Sequence, residues 1–368
     1  MYQTKKFKNF WEKLKKPVLC LAPMADVTDC AFRQIIAKYG KPDVFWTEFV
    51  SADGLVHPKA QKKLLIDLKF SPKEHPIVAQ LFGSNVENME KASALCRKLG
   101  FDGIDMNMGC PDKSVEKQNS GAAMIKNLEL ARKIIQAARE GSNGLPISVK
   151  TRIGYNPPPP KSFGRTSKNK NYLLDEKWIR SLLEENLAAL VVHLRTRKEM
   201  SEVPAHWDLM KRIIKIRNEM GKETLIIGNG DVLDLEEAKQ KIKETGCDGV
   251  MLGRAIFGRP NLFANKEFFR SSGRSRKNFL KEQAQPDTQK SFISSEIEKK
   301  LKVLLEHTKL FEKLLGKYKN FAVMKKHYKT YVKDFEGAKE LRTKLMETKN
   351  AKEVEKIVKD FLLFLKEI

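Results

Sequence analysis

One cysteine stands in a setting that favours chemistry over packing. Cys110 lies between Gly109 and Pro111 in the segment NMGCP, directly after a short apolar run. The other cysteines fall in apolar or helical settings and are interpreted as small core residues; they are Cys20, Cys30, Cys96 and Cys247. A thiol in such a loop could be a nucleophile or an acid. Because no histidine or acid adjoins Cys110, a pKa of about 8.5 would keep it protonated and able to donate a proton.

Two glycine-containing segments late in the chain could hold a phosphate. GNGD at 228–231 and the pair Gly253-Arg254 each follow a short apolar run. Glycine lets backbone N–H groups approach a phosphate closely, and a guanidinium group matches phosphate oxygens. The predicted anion site consists of residues 228–231 and the pair Gly253-Arg254.

Three more polar side chains interrupt or end apolar runs. Lys150 closes the run 147–150, Gln80 lies within 77–81, and His193 ends 189–193. A buried lysine needs an anionic partner, and in a redox site the electron-rich pyrimidine edge of a reduced flavin would serve. Gln80 could hydrogen-bond the same edge. His193 could be a ligand or a structural histidine.

The alternation of apolar runs and amphipathic segments indicates how these residues are positioned. The predicted strands are 18–22, 44–47, 77–81, 103–106, 147–150, 189–193, 225–228 and 249–252. The predicted helices are 31–39, 86–99, 128–139, 176–186, 207–220 and 234–244. Eight such units predict a (β/α)₈ TIM barrel, in which chemistry sits at the C-terminal ends of the strands and phosphate often binds after strands 7 and 8. An open doubly wound sheet is the competing fold, although its G-x-G-x-x-G fingerprint is absent.

The predicted domains are a barrel over 1–265, a linker over 266–290 and a smaller all-α helical bundle over 291–368. A proline-rich basic insertion, 155–177, follows the fifth strand and is either a solvated loop or an arm that touches phosphates. From Lys266 onward the chain has 26 basic and 15 acidic residues, a net charge of +11, and KKHYK at 325–329 mixes cations with an aromatic ring. We therefore predict that Lys325 and Lys326 contact nucleic acid.

Composition narrows the function classes. The net charge of +24 makes a polyanion the expected partner. No apolar run approaches the roughly 20 residues of a membrane span. Five cysteines without a C-x-x-C disfavour a disulfide scaffold and a common zinc site. We expect a cytoplasmic monomer that binds neither membrane nor metal.

The motifs together resemble the dihydrouridine synthase family, flavin enzymes that reduce uridine in tRNA. The matching segments are LAPMADVTDCAFR (21–33), AQLFGS (79–84), DGIDMNMGCPDKSV (102–115), SGAAMIKN (120–127), VKTRIGY (149–155), HLRTR (193–197), GNGDV (228–232) and GVMLGRAIFGRPNLF (249–263). The chain departs from the family pattern at Leu194, where glycine is usual, and at Ser201 and Val203.

The resemblance implies a fold, a cofactor and residue roles. It implies FMN as bound cofactor, NADPH as reductant and a specific uridine of tRNA as substrate, with Cys110 as proton donor. The implied FMN-binding residues are Pro23, Met24, Ala25, Gln80, Lys150, His193, Asn229, Gly230, Asp231, Gly253 and Arg254. We also predict that Asn107 and Arg152 contact the substrate.

Two alternatives stay open at this point. The first is an FMN barrel acting on a free metabolite, like dihydroorotate dehydrogenase, which has no use for a basic helical tail. The second is an RNA-binding protein without catalysis, which the presence of Cys110, Lys150 and Gly253-Arg254 disfavours.

Overall fold

The computed structural model describes residues 9–156, 173–266 and 288–367, which divide into two units. The first unit takes the described residues up to Met24 and from Pro42 to Arg254. The second takes Ala25–Lys41 and the described residues from Ala255 onward. Most of the predicted insertion and linker, at 157–172 and 267–287, lies outside the described residues.

The first unit is built on a parallel sheet that closes into a barrel, as predicted. Its strands are β1 (Val18–Leu21), β2 (Phe45–Trp46), β3 (Val50–Ser51), β4 (Ile77–Phe82), β5 (Gly103–Met108), β6 (Ile147–Arg152), β7 (Ala189–His193), β8 (Leu225–Asn229) and β9 (Gly249–Leu252). The order around the sheet is β1-β9-β8-β7-β6-β5-β4-β2, and β3 adds to the end of β4. A single bridge from Cys20 to Val44 closes the ring, so the barrel is joined most weakly between β1 and β2.

The described helices follow in chain order. They are α1 (Cys30–Tyr39), α2 (Ala52–Val56), α3 (Pro58–Leu64), α4 (Val86–Lys98), α5 (Lys113–Glu116), α6 (Leu128–Ser142), α7 (Glu176–Glu184), α8 (Met210–Glu219), α9 (Leu235–Thr245), α10 (Thr288–Leu315), α11 (Val323–Tyr331), α12 (Ala338–Glu347) and α13 (Ala351–Glu367). Side-chain caps explain several helix starts: Asn85, Asn127 and Asp234 each accept a hydrogen bond from a backbone N–H of the first turn. The six helices predicted in the barrel region are confirmed, whereas α2, α3 and β3 were not predicted.

The barrel interior is apolar near the N-terminal ends of the strands. Inward-facing residues such as Val18, Val191 and Ile227 pack around Trp11, which belongs to a short 3-10 helix at Phe10–Lys13. Trp11 lies against Trp46, with ring centroids 5.8 Å apart. A cavity of about 830 Å³ opens beside Trp11 and contains none of the predicted site residues.

The second unit consists of helices, and α1 belongs to it. Tyr39 at the end of α1 donates a hydrogen bond to Glu306 of α10 (2.6 Å), and Phe32 stacks on His307 of the same helix. This grouping differs from the predicted boundary near residue 265, because α1 packs on the C-terminal helices. In the described part of the chain, no helix has the length and apolar character needed to cross a bilayer.

Candidate active site

The loops after β7, β8 and β9 meet around one carboxylate. Asp231 follows β8 and accepts hydrogen bonds from the guanidinium of Arg195 and from the Ala205 backbone N–H (2.8 Å). Arg254, after β9, donates to the other oxygen of Asp231 at 3.1 Å. Burial opposes ionisation of Asp231, but the bonds from Arg195 and Ala205 lower its pKa overall. The carboxylate thus holds Arg254 beside the loop, although that side chain remains 66% exposed.

Gly230 occupies a position where a side chain does not fit. Its φ of +128° lies in the region that favours glycine. A Cβ atom there would lie 2.8 Å from the Ala205 Cβ and 3.2 Å from the His193 ring. The Gly230 carbonyl accepts a hydrogen bond from the Trp207 indole at 2.8 Å, which holds the turn in place. Asn229, just before it, donates to the Met251 carbonyl at 2.8 Å.

On the opposite side of the barrel, β4, β5 and β6 line the interior with polar side chains. Gln80 and Asp105 are completely buried, and the Gln80 amide donates to Asp105 at 2.7 Å. Ser148 donates to the other Asp105 oxygen at 2.6 Å, and Asn107 donates to the Gln80 carbonyl oxygen at 3.1 Å. Burial raises the pKa of Asp105 to about 6, although the bonds from Ser148 and Gln80 favour its ionised form.

Cys110 lies in the turn after β5 and is half-buried. The Asn107 side-chain oxygen accepts hydrogen bonds from the backbone N–H groups of Gly109 (3.2 Å) and Cys110 (2.9 Å). Arg152 donates to the Gly109 carbonyl at 2.9 Å, and Ala122 donates to the Cys110 carbonyl at 2.9 Å. Burial raises the pKa of the Cys110 thiol. The side chain is therefore a protonated thiol at neutral pH, as its role of acid would require.

Lys150 lies on β6 and is half-buried. Its pKa falls to about 8, chiefly because of burial and then because of Arg152, while Asp105 and Cys110 act in the opposite direction. Lys150 is still mostly charged at neutral pH. An anionic or electron-rich group bound next to it would offset its burial.

Cations dominate the surroundings of His193. Burial lowers the pKa of its imidazole well below the usual value, and the charges of Lys150, Arg152, Arg195 and Arg254 lower it further. His193 is therefore neutral, and its Nε2 lies 3.1 Å from the Arg195 guanidinium. Arg152 is in register with His193 on the neighbouring strand and donates to the Gly109 carbonyl, so it connects this region to the Cys110 turn. The described residues contain no cluster of three or more histidine, cysteine or acidic side chains arranged to hold a metal ion.

The structure brings most predicted residues of the first unit to this end of the barrel. Pro23 and Met24 follow β1 and are half-buried, and Gly253 lies near Met24, whose Sδ is 3.9 Å from where a Cβ at 253 would be. Ala25 is exposed. It belongs to the second unit, and so do Lys325 and Lys326 on α11.

The Nη1 and Nε of Arg152 donate to the carbonyls of Gly109, Thr196 and Met200, so its described contacts hold loops together.

Sequence reasoning missed several residues of the site. The sequence contained a signal for Asp105, because an acidic residue in the middle of an apolar strand needs hydrogen-bond partners. Arg195 lay within the quoted HLRTR segment, of which only His193 was interpreted. Arg197 joins two loops by donating to Glu116 (2.8 Å) and to the Pro111 carbonyl (3.0 Å). No sequence pattern connects Glu116 and Arg197, since they are 81 positions apart.

Comparisons with known proteins identify the family of this chain. The family profile described as Dihydrouridine synthase (Dus) matches residues 20–366. A "Probable tRNA-dihydrouridine synthase" of Staphylococcus aureus is 36% identical over 356 residues, covering 96% of this chain and 95% of that protein. "Probable tRNA-dihydrouridine synthase 2" of Bacillus subtilis is also 36% identical over 356 residues and covers 96% of each chain.

Among solved structures, similarity is more remote. An old yellow enzyme homologue from Zymomonas mobilis superposes with a TM-score of 0.45 at 13% identity, covering 69% of this chain and 88% of that one. A similarity at this level does not bear on function.

Proposed function

The chain belongs to the dihydrouridine synthase family, and we propose that it reduces the C5=C6 bond of a specific uridine in tRNA, with FMN as hydride carrier and NADPH as reductant. The observation that carries this proposal is that the half-buried Cys110 lies in a turn held by Asn107 and Arg152, at the strand ends that also carry Lys150 and His193. A proton donor and a cationic cofactor site at one barrel mouth are what this reduction needs.

The residues at the strand ends suit FMN. The cation excess around His193 favours a phosphate, and the Arg254 side chain is both exposed and oriented by Asp231. A Cβ at Gly253 would contact the Ala22 Cβ (3.6 Å) and the Met24 Sδ (3.9 Å), so glycine leaves the backbone there uncovered by a side chain of its own. Lys150 and Gln80 would hold the pyrimidine edge of the ring system. The other proposed contacts are Pro23, Met24, Ala25, His193, Asn229, Gly230 and Asp231.

Uracil electronics define what the protein must do. The C5=C6 bond is conjugated to the C4 carbonyl, so C6 is electrophilic, and FMN when bound supplies the hydride for that carbon. The resulting enolate needs a proton at C5, which Cys110 donates. The turn that carries the thiol is held by Asn107 and Arg152, so their proposed substrate contacts would be made from an already ordered loop. Positive charge from Lys150 would stabilise the negative charge that develops on the reacting groups.

The uridine has to leave the base stack before it can reach this site. Unstacking costs a few kcal/mol, and phosphate contacts elsewhere on a folded RNA can offset it. The net charge of +24 and the basic second unit, with Lys325 and Lys326, are suited to such contacts. We expect the enzyme to act as a cytoplasmic monomer.

The test compares the wild type with Cys110→Ala. Dihydrouridine in tRNA, mapped by mass spectrometry in cells with and without the protein, should depend on it. For Cys110→Ala, dihydrouridine formation should fall about 10²–10⁴-fold. The purified variant should stay yellow and its flavin should still be reduced by NADPH. Cys247→Ala, which alters a buried cysteine two residues before β9, is the matched control.

Three results would overturn the proposal. One is full dihydrouridine formation by Cys110→Ala. Another is a colourless wild-type protein that binds tRNA in a salt-sensitive way, which would indicate an RNA-binding protein. The third is reduction of a free pyrimidine with no activity on tRNA, which would indicate a metabolite enzyme.

A further inference from the structure

The polar side chains inside the barrel form a continuous row. Asp105, Gln80 and Asn107, here called the polar row, are joined end to end by hydrogen bonds of 2.7 and 3.1 Å. The row then reaches the backbone N–H of Cys110 at 2.9 Å. It thus connects a fully buried carboxylate to the turn that carries the reactive thiol.

One end of the row dictates how both amides are turned. An ionised carboxylate can only accept hydrogen bonds, so Gln80 must present its NH₂ group to Asp105. The Gln80 carbonyl oxygen then faces Asn107, which has to present its own NH₂ group in return. The side-chain oxygen of Asn107 is left for the Cys110 turn.

The other end demands the same arrangement independently. The backbone N–H groups of Gly109 and Cys110 can only donate, so they require the oxygen of Asn107 rather than its nitrogen. The row therefore has a direction, which its acceptor-only end and its donor-only end both specify. An amide turned the wrong way anywhere along it would leave two buried polar groups without partners, which is costly.

We propose that Asp105 is a positioning residue that, through Gln80 and Asn107, sets the orientation of the Cys110 turn. Its consequence for turnover rests on the proposed function, whereas its consequence for the thiol does not.

Exchanging acid and amide across Gln80 tests the direction of the row. Asn107→Asp places carboxylates on both sides of Gln80, which cannot present NH₂ to both. Adding Asp105→Asn lets Gln80 turn over, so that the amide at 105 donates to Gln80 and Gln80 donates to the carboxylate at 107. The double variant Asp105→Leu/Asn107→Asp is the matched control, because it has the same charge but no donor at 105.

Two measurements on the full-length protein separate the thiol from the reaction. The first is the rate of Cys110 alkylation by iodoacetamide, located by mass spectrometry, since the other four cysteines are buried. The second is the rate of dihydrouridine formation in tRNA. Asn107→Asp should change the alkylation rate several-fold and lower turnover about 10–100-fold. Asp105→Asn/Asn107→Asp should restore most of the alkylation rate, whereas Asp105→Leu/Asn107→Asp should not.

Wild-type alkylation in Asn107→Asp, or equal impairment of the two double variants, would overturn the proposal. If the double variants do not fold, the single variants decide it. Asp105→Asn keeps the original direction and should alkylate like wild type, whereas Asp105→Leu should not; equal rates would overturn the proposal. If alkylation follows this pattern while the wild type makes no dihydrouridine, positioning is supported and the proposed function fails.

Discussion

Two groups of buried polar side chains, one in each unit, differ in how their polar atoms are partnered. In the barrel, every polar atom of the polar row has a partner, down to the backbone of the Cys110 turn. In the helical unit, His307 and His327 are also completely buried, with ring centroids 4.6 Å apart. Yet both ring nitrogens of His327 and one of His307 have no hydrogen-bond partner among the described residues.

The difference shows what the buried polar side chains do in each of these two groups. A fully satisfied buried network specifies one geometry, which suits a site that must place a thiol. The rings of His307 and His327 pack against Phe32 like an aromatic cluster, with ring-centroid distances of 4.9 and 4.7 Å. Such packing does not fix the direction of any hydrogen bond. Burial lowers the pKa of His307 well below its usual value and that of His327 to about 3, so both are neutral.

The largest expected effect comes from removing the acceptor of the polar row. Asp105→Leu leaves Gln80 and Ser148 as buried donors without partners and removes a negative charge near Lys150. We expect the free energy of unfolding of the barrel to fall by about 2–4 kcal/mol. Denaturant unfolding followed by tryptophan fluorescence measures it, because all four tryptophans lie in the first unit. A change below 1 kcal/mol would contradict the comparison.

The next effect concerns pH and has opposite signs in the two regions. Between pH 6.5 and about 3, His327 is protonated in the unfolded chain but not in the folded protein. Acid therefore destabilises the helical unit. At pH 5 this loss relative to pH 7 is about 1–2 kcal/mol for one histidine. Folded Asp105 binds a proton below about pH 6, before the unfolded chain does, so acid favours the folded barrel.

Hydrogen–deuterium exchange resolves these signs region by region. Peptides from α10–α13 should lose protection between pH 7 and pH 5, after correction for the intrinsic exchange rate, and His327→Leu should abolish much of that loss. Peptides from β4–β6 serve as the internal control. Equal loss of protection in both regions would show that the histidine pair is not the cause.

A smaller effect is expected from the same substitution at neutral pH. His327→Leu removes two unpartnered buried nitrogens, so the helical unit should be unchanged or up to about 1 kcal/mol more stable. Thermal unfolding followed by circular dichroism measures the change. Destabilisation like that of Asp105→Leu would mean that His327 has a polar partner after all.

The smallest effect on stability is expected on the surface of α11. Lys326 is 41% exposed and lies 3.9 Å from Asp26, so Lys326→Ala should change the free energy of unfolding by less than about 0.5 kcal/mol. If Lys326 contacts RNA, tRNA affinity should fall and the slope of log Kd against log salt should drop by about 1. Lys359→Ala on α13 is the control; equal effects would remove the special role of Lys326.

Local pattern was sufficient for much of the fold and for the placement of many polar residues at the strand ends. The eight predicted strands, from 18–22 to 249–252, were recognisable because a strand covered on both faces reads as an uninterrupted apolar run. Cys110, Lys150 and Gly253-Arg254 were recognisable because each is a residue type that strand ends rarely need for packing. The C-terminal helices showed their amphipathic period in the same way.

The sequence by itself therefore determined the order of the elements and which side chains reach the barrel mouth. Only the tertiary structure decided their partners: that Asp105 orients Gln80, that Asp231 holds Arg195 and Arg254, and that Arg197 meets Glu116. It also decided that α1 packs with the C-terminal helices. The physical reason is that periodicity is a property of neighbours in sequence, whereas these contacts join positions 23 to 267 residues apart and depend on sheet register and burial.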